Sequence, residues 1–321
     1  MKYTRKVQRI GSSLLISLPK EWVESNGIDR GSIILIESAN DNSLRIYPAL
    51  DEVKESKEVV INYPSPYYEP IANKITGAYL LGYDLIKVKS NTPISYEERE
   101  SIKEAIERLV SLEIVDEDAT HIVAQFLLDA TTLDAEKILY RISTIVSGMY
   151  RDVITALQSR DKGILKSIVR RDDEVDRQYF LLVRLLRSLL KDQRLAGRMN
   201  LTSIEVLDYR LAAHLLESAG DGAVELARAV ESLLEYGIYD HSNLVEIAEV
   251  VKRIQDTSVK AFISHDRKGS IEVMKQYSQL SEYMSSIKQD KEDTKVLDFM
   301  HLLDKFARIW VDIADLVMPI P

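Results

Sequence analysis

Asp172 and Asp176 stand four residues apart in "RRDDEVDRQ", and Glu217 and Asp221 stand four apart in "HLLESAGDGAVELA", residues 214–227. On a helix that spacing puts both members of a pair on one face. Four carboxylates from neighbouring helices would offer hard oxygen donors, which suit magnesium, calcium, manganese or iron better than thiol-seeking metals. If they are drawn away from water, they must be met by a cation, an arginine or a proton.

Each pair also has a plainer reading. Asp172 and Asp176 fall in line with Leu165, Val169, Tyr179 and Val183 on a helical wheel, so either they interrupt a packing stripe or the stripe is rotated and they reach solvent at its edge. Glu217 and Asp221 share a face with Arg210 and His214, opposite Leu211, Leu215, Ala219 and Ala223. A polar face of this kind is ordinarily just solvated. The coincidence of two acid pairs, with the small residues of "SAGDGA" around Asp221, favours a cation site.

The second frame recurs. "HLLDKFARIWVDIA" begins at His301, an offset of 87 residues from His214. The copy matches Glu217 with Asp304 but Asp221 with Arg308, and an arginine beside a lone aspartate makes an ion pair without a metal. The helix expected before it carries Val273, Tyr277, Leu280, Met284 and Ile287 with no acid pair. The expectation is therefore one good site and one degenerate site at Asp304.

These residues need long helices to hold them. From about residue 131 glycine is sparse and apolar residues recur at three and four, giving six segments: 131–160, 163–191, 202–235, 241–266, 268–289 and 294–317. "QRLAGRMN" and "GIYDHSN" supply breaks, and Ser242 or Asn243 would cap the fourth. Six helices with an internal repeat imply two three-helix units, 131–235 and 241–318, in a C-terminal all-α domain ending at residue 321. Residues 58–130 mix "VVINY", "YDLIKVKS" and "LEIVDED" as strands with helices over 67–82 and 96–112, a small α/β layer without an assigned role. Residues 1–52 are short strands. "SIILIES" and "SLRIYP" flank the turn-forming "ANDN", and a short helix lies in "LPKEWVESNGI", with Pro19 near its start and Gly27 at its end. The fold class is α+β multidomain.

The whole chain of 321 residues has 42 basic and 51 acidic residues, net −9. That argues against an overall nucleic-acid-binding surface but allows a local one. Lys2, Arg5, Lys6 and Arg9 supply such a patch, with no acidic residue among the first ten. Phosphate neutralisation by these cations would be sequence-independent, and Gln8, Ser12 and Ser13 are the candidates for base contacts. Cysteine is absent, which fits a reducing cytoplasm, and no run of about 18 apolar residues occurs that would insert in a membrane. No Walker A loop, H-E-x-x-H helix, G-x-S-x-G elbow or Glu-x-x-His ligand pair is present, so an enzyme is not expected.

The frame "DYRLAAHLLESAGDGAVELA", preceded by "RRDDEVDRQ" and repeated once, resembles the PhoU family of phosphate-uptake regulators over roughly residues 131–318. The resemblance implies paired three-helix bundles with a repeated E/D-x3-D motif that binds multinuclear metal clusters. By it, Glu217 and Asp221 match the motif, Asp172 and Asp176 match acids of the preceding helix, and Asp304 matches half of the second copy, where Arg308 departs from the pattern. Iron, manganese, magnesium and zinc are the cofactor candidates. Residues 3–48, through "RK-x-x-x-x-G-S", "LPK-x-W" and "G-x-x-x-G-S", resemble an AbrB/SpoVT-type domain, which implies half of a swapped-hairpin barrel completed by a second chain, with a basic face on DNA. This pairing of head and bundle is familiar in archaea. Together the resemblances imply a homodimeric cytoplasmic regulator of phosphate uptake bound to double-stranded DNA, with inorganic phosphate as a possible ligand. The alternative is an adaptor that docks on a phosphate ABC transporter or signalling protein and uses the head only to dimerise.

Overall fold

A computed structural model describes residues 3–38, 43–48, 56–64, 69–199, 201–237, 242–288 and 293–318. Lys2 and the expected "ANDN" turn, residues 39–42, lie outside the described residues. The chain divides into two compact units, Met1–Glu55 and Ser56–Pro321.

The first unit holds two antiparallel hairpins and one short helix. Strand β1 (Gln8–Ile10) pairs with β2 (Ser13–Leu15), with Ile10 opposite Ser13. Only Gly11 and Ser12 separate them, and Gly11 takes φ +63°, a conformation open to glycine and costly for other residues. Helix α1 (Lys20–Ser25) follows Pro19. Strand β3 (Ile34–Ser38) pairs with β4 (Leu44–Pro48), Ile36 opposite Ile46.

The second unit begins with an α/β layer. Strand β5 (Glu58–Tyr63), helix α2 (Ile71–Leu80), strand β6 (Leu85–Ser90), helix α3 (Tyr96–Glu107) and strands β7 (Leu112–Glu117) and β8 (His121–Phe126) build a sheet of order β5-β6-β8-β7. The β5–β6 pair is parallel and the other pairs are antiparallel. A capping box of Ser95 and Glu98 starts α3. Strand β8 is an element that sequence patterning did not find. In "HIVAQF" the side chains of Ile122, Val123 and Ala124 are all buried, so the residues carry no apolar–polar alternation to mark a strand.

The helices follow: α4 (Ala135–Ser159), α5 (Lys162–Lys191), the short α6 (Gln193–Arg198), α7 (Ser203–Glu235), α8 (Ser242–Ile263), α9 (Arg267–Lys288) and α10 (Thr294–Asp315). Helices α4, α5 and α7 form one three-helix bundle and α8, α9 and α10 a second, joined along α7 with α10 and α4 with α8. Asp134, Asp161 and Thr202 cap α4, α5 and α7 through side-chain oxygens, and Asp293 caps α10. The expected break "QRLAGRMN" instead contains α6, and the fourth helix already begins at Ser242. Stacked rings of Tyr150 and Phe306, with centroids 4.7 Å apart, join the bundles through their core, and the Tyr150 hydroxyl donates to the Ala248 carbonyl at 3.0 Å.

Polar contacts join the α/β layer to the first bundle where α2 packs on α5. Arg184 of α5, 5% exposed, donates to the carbonyls of Tyr79 and Tyr83 at 2.7 and 2.8 Å and to Asp84 Oδ1 at 2.8 Å. The Tyr79 carbonyl lies in the last turn of α2, where it also accepts from the Gly82 N–H, and Tyr83 follows just beyond the helix. The guanidinium also sits 3.9 Å from the Phe126 ring centroid, and Lys191 donates to the Leu81 carbonyl at 2.8 Å.

Candidate functional site

Helix α5 buries Leu165, Ile168, Val175 and Leu182, while Val169 is 51% exposed. The packing stripe is thus rotated from the one expected through Val169, and Asp172 and Asp176 stand half-buried at its edge. In α7 the same correction applies: Leu211 faces outward, and Ala212, Ala213, Leu216, Ala219 and Ala223 make the inner side. Glu217 is partly covered and Asp221 is exposed.

The two helices bring the acids of the two pairs together. A side chain on Gly220 would meet Asp172 Oδ1 at 2.9 Å and Val175 Cγ1 at 3.1 Å, so glycine there lets α7 approach α5 beside the carboxylates. A side chain on Gly222 would meet the Phe306 ring at 3.1 Å. The small residues of "SAGDGA" therefore serve close packing on two sides of α7, against α5 and against α10.

Burial pushes the Asp172 carboxyl up to about 6, helped by the charges of Asp221, Asp176, Asp173 and Glu217. Burial likewise pushes Asp176 up to about 6, with Glu217, Asp221 and Asp173 adding to it and Arg108 opposing. Neither has a hydrogen-bond or ion-pair partner among the described residues. Glu217 lies 3.3 Å from His214 Nδ1. The donor chemistry fits a hard cation, yet among the described residues no three His, Asp or Glu side chains converge as a ligand set for one ion. The carboxylates crowd one another without closing on a common point.

The second copy is wired differently. Asp304, 9% exposed, accepts from the Tyr277 hydroxyl at 2.9 Å and from Arg308 Nη2 and Nε at 3.0 and 3.2 Å. Its charge is met within the chain, by Tyr277 of α9 and Arg308 of its own helix.

In the head, Arg5, Lys6, Gln8, Arg9, Ser12 and Ser13 are all exposed on or beside the first hairpin. Arg9 Nε reaches the Gly11 carbonyl at 3.4 Å, and Arg5 Nη1 reaches the Thr4 carbonyl at 3.2 Å. Both are local contacts that leave the guanidinium groups accessible. No apolar side chain of the described head residues is buried: Leu14 is 71% exposed and Ile33 76%.

The molecule defines a class: two fused helical bundles with an acidic cluster in the first, and a small head of basic and apolar hairpins. Residues 139–230 match the PhoU domain. Residues 7–54 match the family described as antidote-toxin recognition MazE, bacterial antitoxin. The chain thus carries a PhoU domain within its first bundle and a MazE/AbrB-like domain at its N-terminus. Among solved structures it is similar to PhoU from Pseudomonas aeruginosa, at 17% identity over 57% of this chain and 93% of that one, with a TM-score of 0.48. It is also similar to the phosphate transport system regulatory protein PhoU from Streptococcus pneumoniae, at 20% identity over 57% and 91%, with a TM-score of 0.46. No curated protein sequence matches it. Among the described residues no helix is long and apolar enough to cross a membrane.

Proposed function

We propose that the protein is a DNA-binding regulator of phosphate uptake and homeostasis, with the head docking a homodimer on double-stranded DNA and the acidic cluster holding a metal ion. The observation that carries this reading is the head itself. A domain of about 50 residues cannot hold its fold without a core, and here Ile10, Leu14, Leu15, Leu35, Ile36 and Leu44 of the two hairpins are exposed, beside exposed Arg5, Lys6 and Arg9. A second copy of the same hairpins is the natural cover, and it doubles the cationic patch for a duplex. The PhoU match over the first bundle supports phosphate homeostasis as the process served.

DNA binding is tested by fluorescence anisotropy on duplex DNA across a salt series. Each phosphate contact contributes about 0.9 to the slope of log affinity against log salt, so Arg5→Gln in a dimer lowers the slope by about 1.8. A wild-type protein with no salt-dependent affinity would leave the head a dimerisation module and favour docking on a phosphate transporter or signalling protein. Inorganic phosphate added with metal should shift the DNA affinity, because a regulator needs coupling between its two ligands.

Asp172, Asp176, Glu217 and Asp221 are the residues that would hold the cation, and a bound metal would supply a Lewis acid able to take phosphate as a ligand. Elemental analysis of protein purified without chelator, beside the Glu217→Ala/Asp221→Ala double variant, tests this. Iron, manganese, magnesium or zinc present in the parent and lost in the variant is the expected result. Equal metal content in the two proteins overturns the site.

A further inference from the structure

The four-stranded sheet of the α/β layer has two edges, and they differ. Strand β7 is guarded: its ladder with β8 slips at a bulge between Ile114 and Asp116, and Glu113, Asp116 and Glu117 put charge along it. Strand β5 has no such guard. It runs from Glu58 to Tyr63 in unbroken register with β6, holds no proline, and its one charge, Glu58, is already met by Lys87 Nζ at 2.7 Å. The Leu85 N–H donates to the Lys57 carbonyl at 3.1 Å. Backbone groups along a strand alternate sides, so Lys57, Val59, Ile61 and Tyr63 face β6, while Glu58, Val60 and Asn62 turn their N–H and C=O groups out of the sheet edge. Among the described residues nothing pairs with those outward groups, and Val60 between them is 44% exposed. A flat edge without bulge, proline or free charge is a template for another strand.

We propose that β5 pairs with β5 of a second copy of this chain, antiparallel about a twofold axis at Val60, and so joins the two sheets edge to edge. The inference rests on the head dimer proposed above. In that register Val60 lies opposite Val60 of the second copy and Glu58 lies opposite Asn62, so every outward residue exchanges both backbone bonds and a carboxylate meets an amide donor. On the face that packs against α2, Val59 comes opposite Ile61, apolar against apolar. Other registers are poorer. An axis at Ile61 sets Pro64, which has no N–H, opposite Glu58, and an axis at Glu58 sets like charges opposite one another. One strand pair falls well short of the roughly 800 Å² per partner of a standard interface, so it forms only between chains that the head already holds together. Strand β5 begins ten positions after Pro48, the end of β4, and a tether that short supplies an effective concentration on the order of millimolar. The α/β layer thereby gains a part in the dimer.

The chain has no cysteine, so single introduced thiols report the register. In the full-length protein under mild oxidation, Val60→Cys should close a disulfide across the axis, where a hydrogen-bonded pair sets the two Cα atoms about 5.5 Å apart. Asn62→Cys should not, because its two thiols stand four strand positions apart, about 14 Å along the strand. Hydrogen exchange gives a second readout without a thiol. The amides of Glu58, Val60 and Asn62 should exchange slowly in the parent dimer and lose that protection in Leu14→Asp/Ile36→Asp, whereas Val59 and Ile61, which face β6, stay protected in both. Sedimentation of the parent reads the head dimer separately. A monomeric parent overturns the head dimer and this inference together. A dimeric parent in which Val60→Cys links no faster than Asn62→Cys, or in which the three outward amides exchange as fast as in the head variant, overturns the strand pairing and leaves the head dimer standing.

Discussion

His121 is gripped from both sides. Its Nε2 lies 2.9 Å from Asp116 Oδ2 and its Nδ1 2.8 Å from Asp118 Oδ1, so both ring nitrogens serve as donors when the imidazole is protonated. Asp118 is held ionised by the Thr120 backbone N–H first and by its other partners after it. The Asp116 hydrogen bond is the largest cause that raises the histidine above its ordinary 6.5. A histidine raised in the folded state contributes stability that is complete below pH 6.5 and is lost as pH rises through the folded midpoint. The NMR titration of the His121 ring should therefore show a midpoint above 6.5, and Asp116→Asn should bring it down. A midpoint unmoved by that substitution would mean the clamp does not form. Asp304 carries the same lesson in reverse: a carboxylate met by Tyr277 and Arg308 has no need of an external cation, whereas Asp172 and Asp176 lack such partners.

At the level of elements, the join between sheet layer and bundle rests on few groups. Arg184→Met would remove one donor from Asp84 and from each of the carbonyls of Tyr79 and Tyr83, leaving Asp84 the Lys57 N–H and Tyr79 the Gly82 N–H, and a loss of this kind costs roughly 1–3 kcal/mol. Urea unfolding should report that loss. Arg184→Lys should recover little of it, because an ammonium cannot fork to all three acceptors. A variant as stable as the parent would show that the layer is held by its apolar contacts alone. None of this was legible in the sequence. The long helices were, because apolar periodicity and sparse glycine mark α4, α5, α7 and α10 within a few residues of their ends. The four acids were legible too, since i, i+4 spacing survives any rotation of the helix. The rotation itself was not: Val169 and Leu211 are as apolar as their buried neighbours, and only the facing helix decides which of them turns inward.

Taken as a whole molecule, the chain is unevenly consolidated. Among the described residues the buried apolar side chains begin at Ile61 and run through to Val317, and those of the head contribute none. Its order should therefore depend on concentration. Sedimentation should show a dimer that dissociates on dilution, and Leu14→Asp with Ile36→Asp should give a monomer with an unfolded head and an intact helical signal. Persistence of the dimer in that variant would move the interface to the second unit. Within that unit, α5 has a property that only its full length exposes. No glycine or proline interrupts it from Ile164 to Lys191, and Asp172 and Arg184, twelve residues apart, are separated by about 18 Å of unbroken helix. In mechanical terms it is a stiff rod clamped at one end to α2 and loaded with uncompensated charge near its middle. A rod without a hinge transmits displacement rather than absorbing it, so a push of the carboxylates toward or away from α7 is delivered to the sheet layer as movement of its anchor.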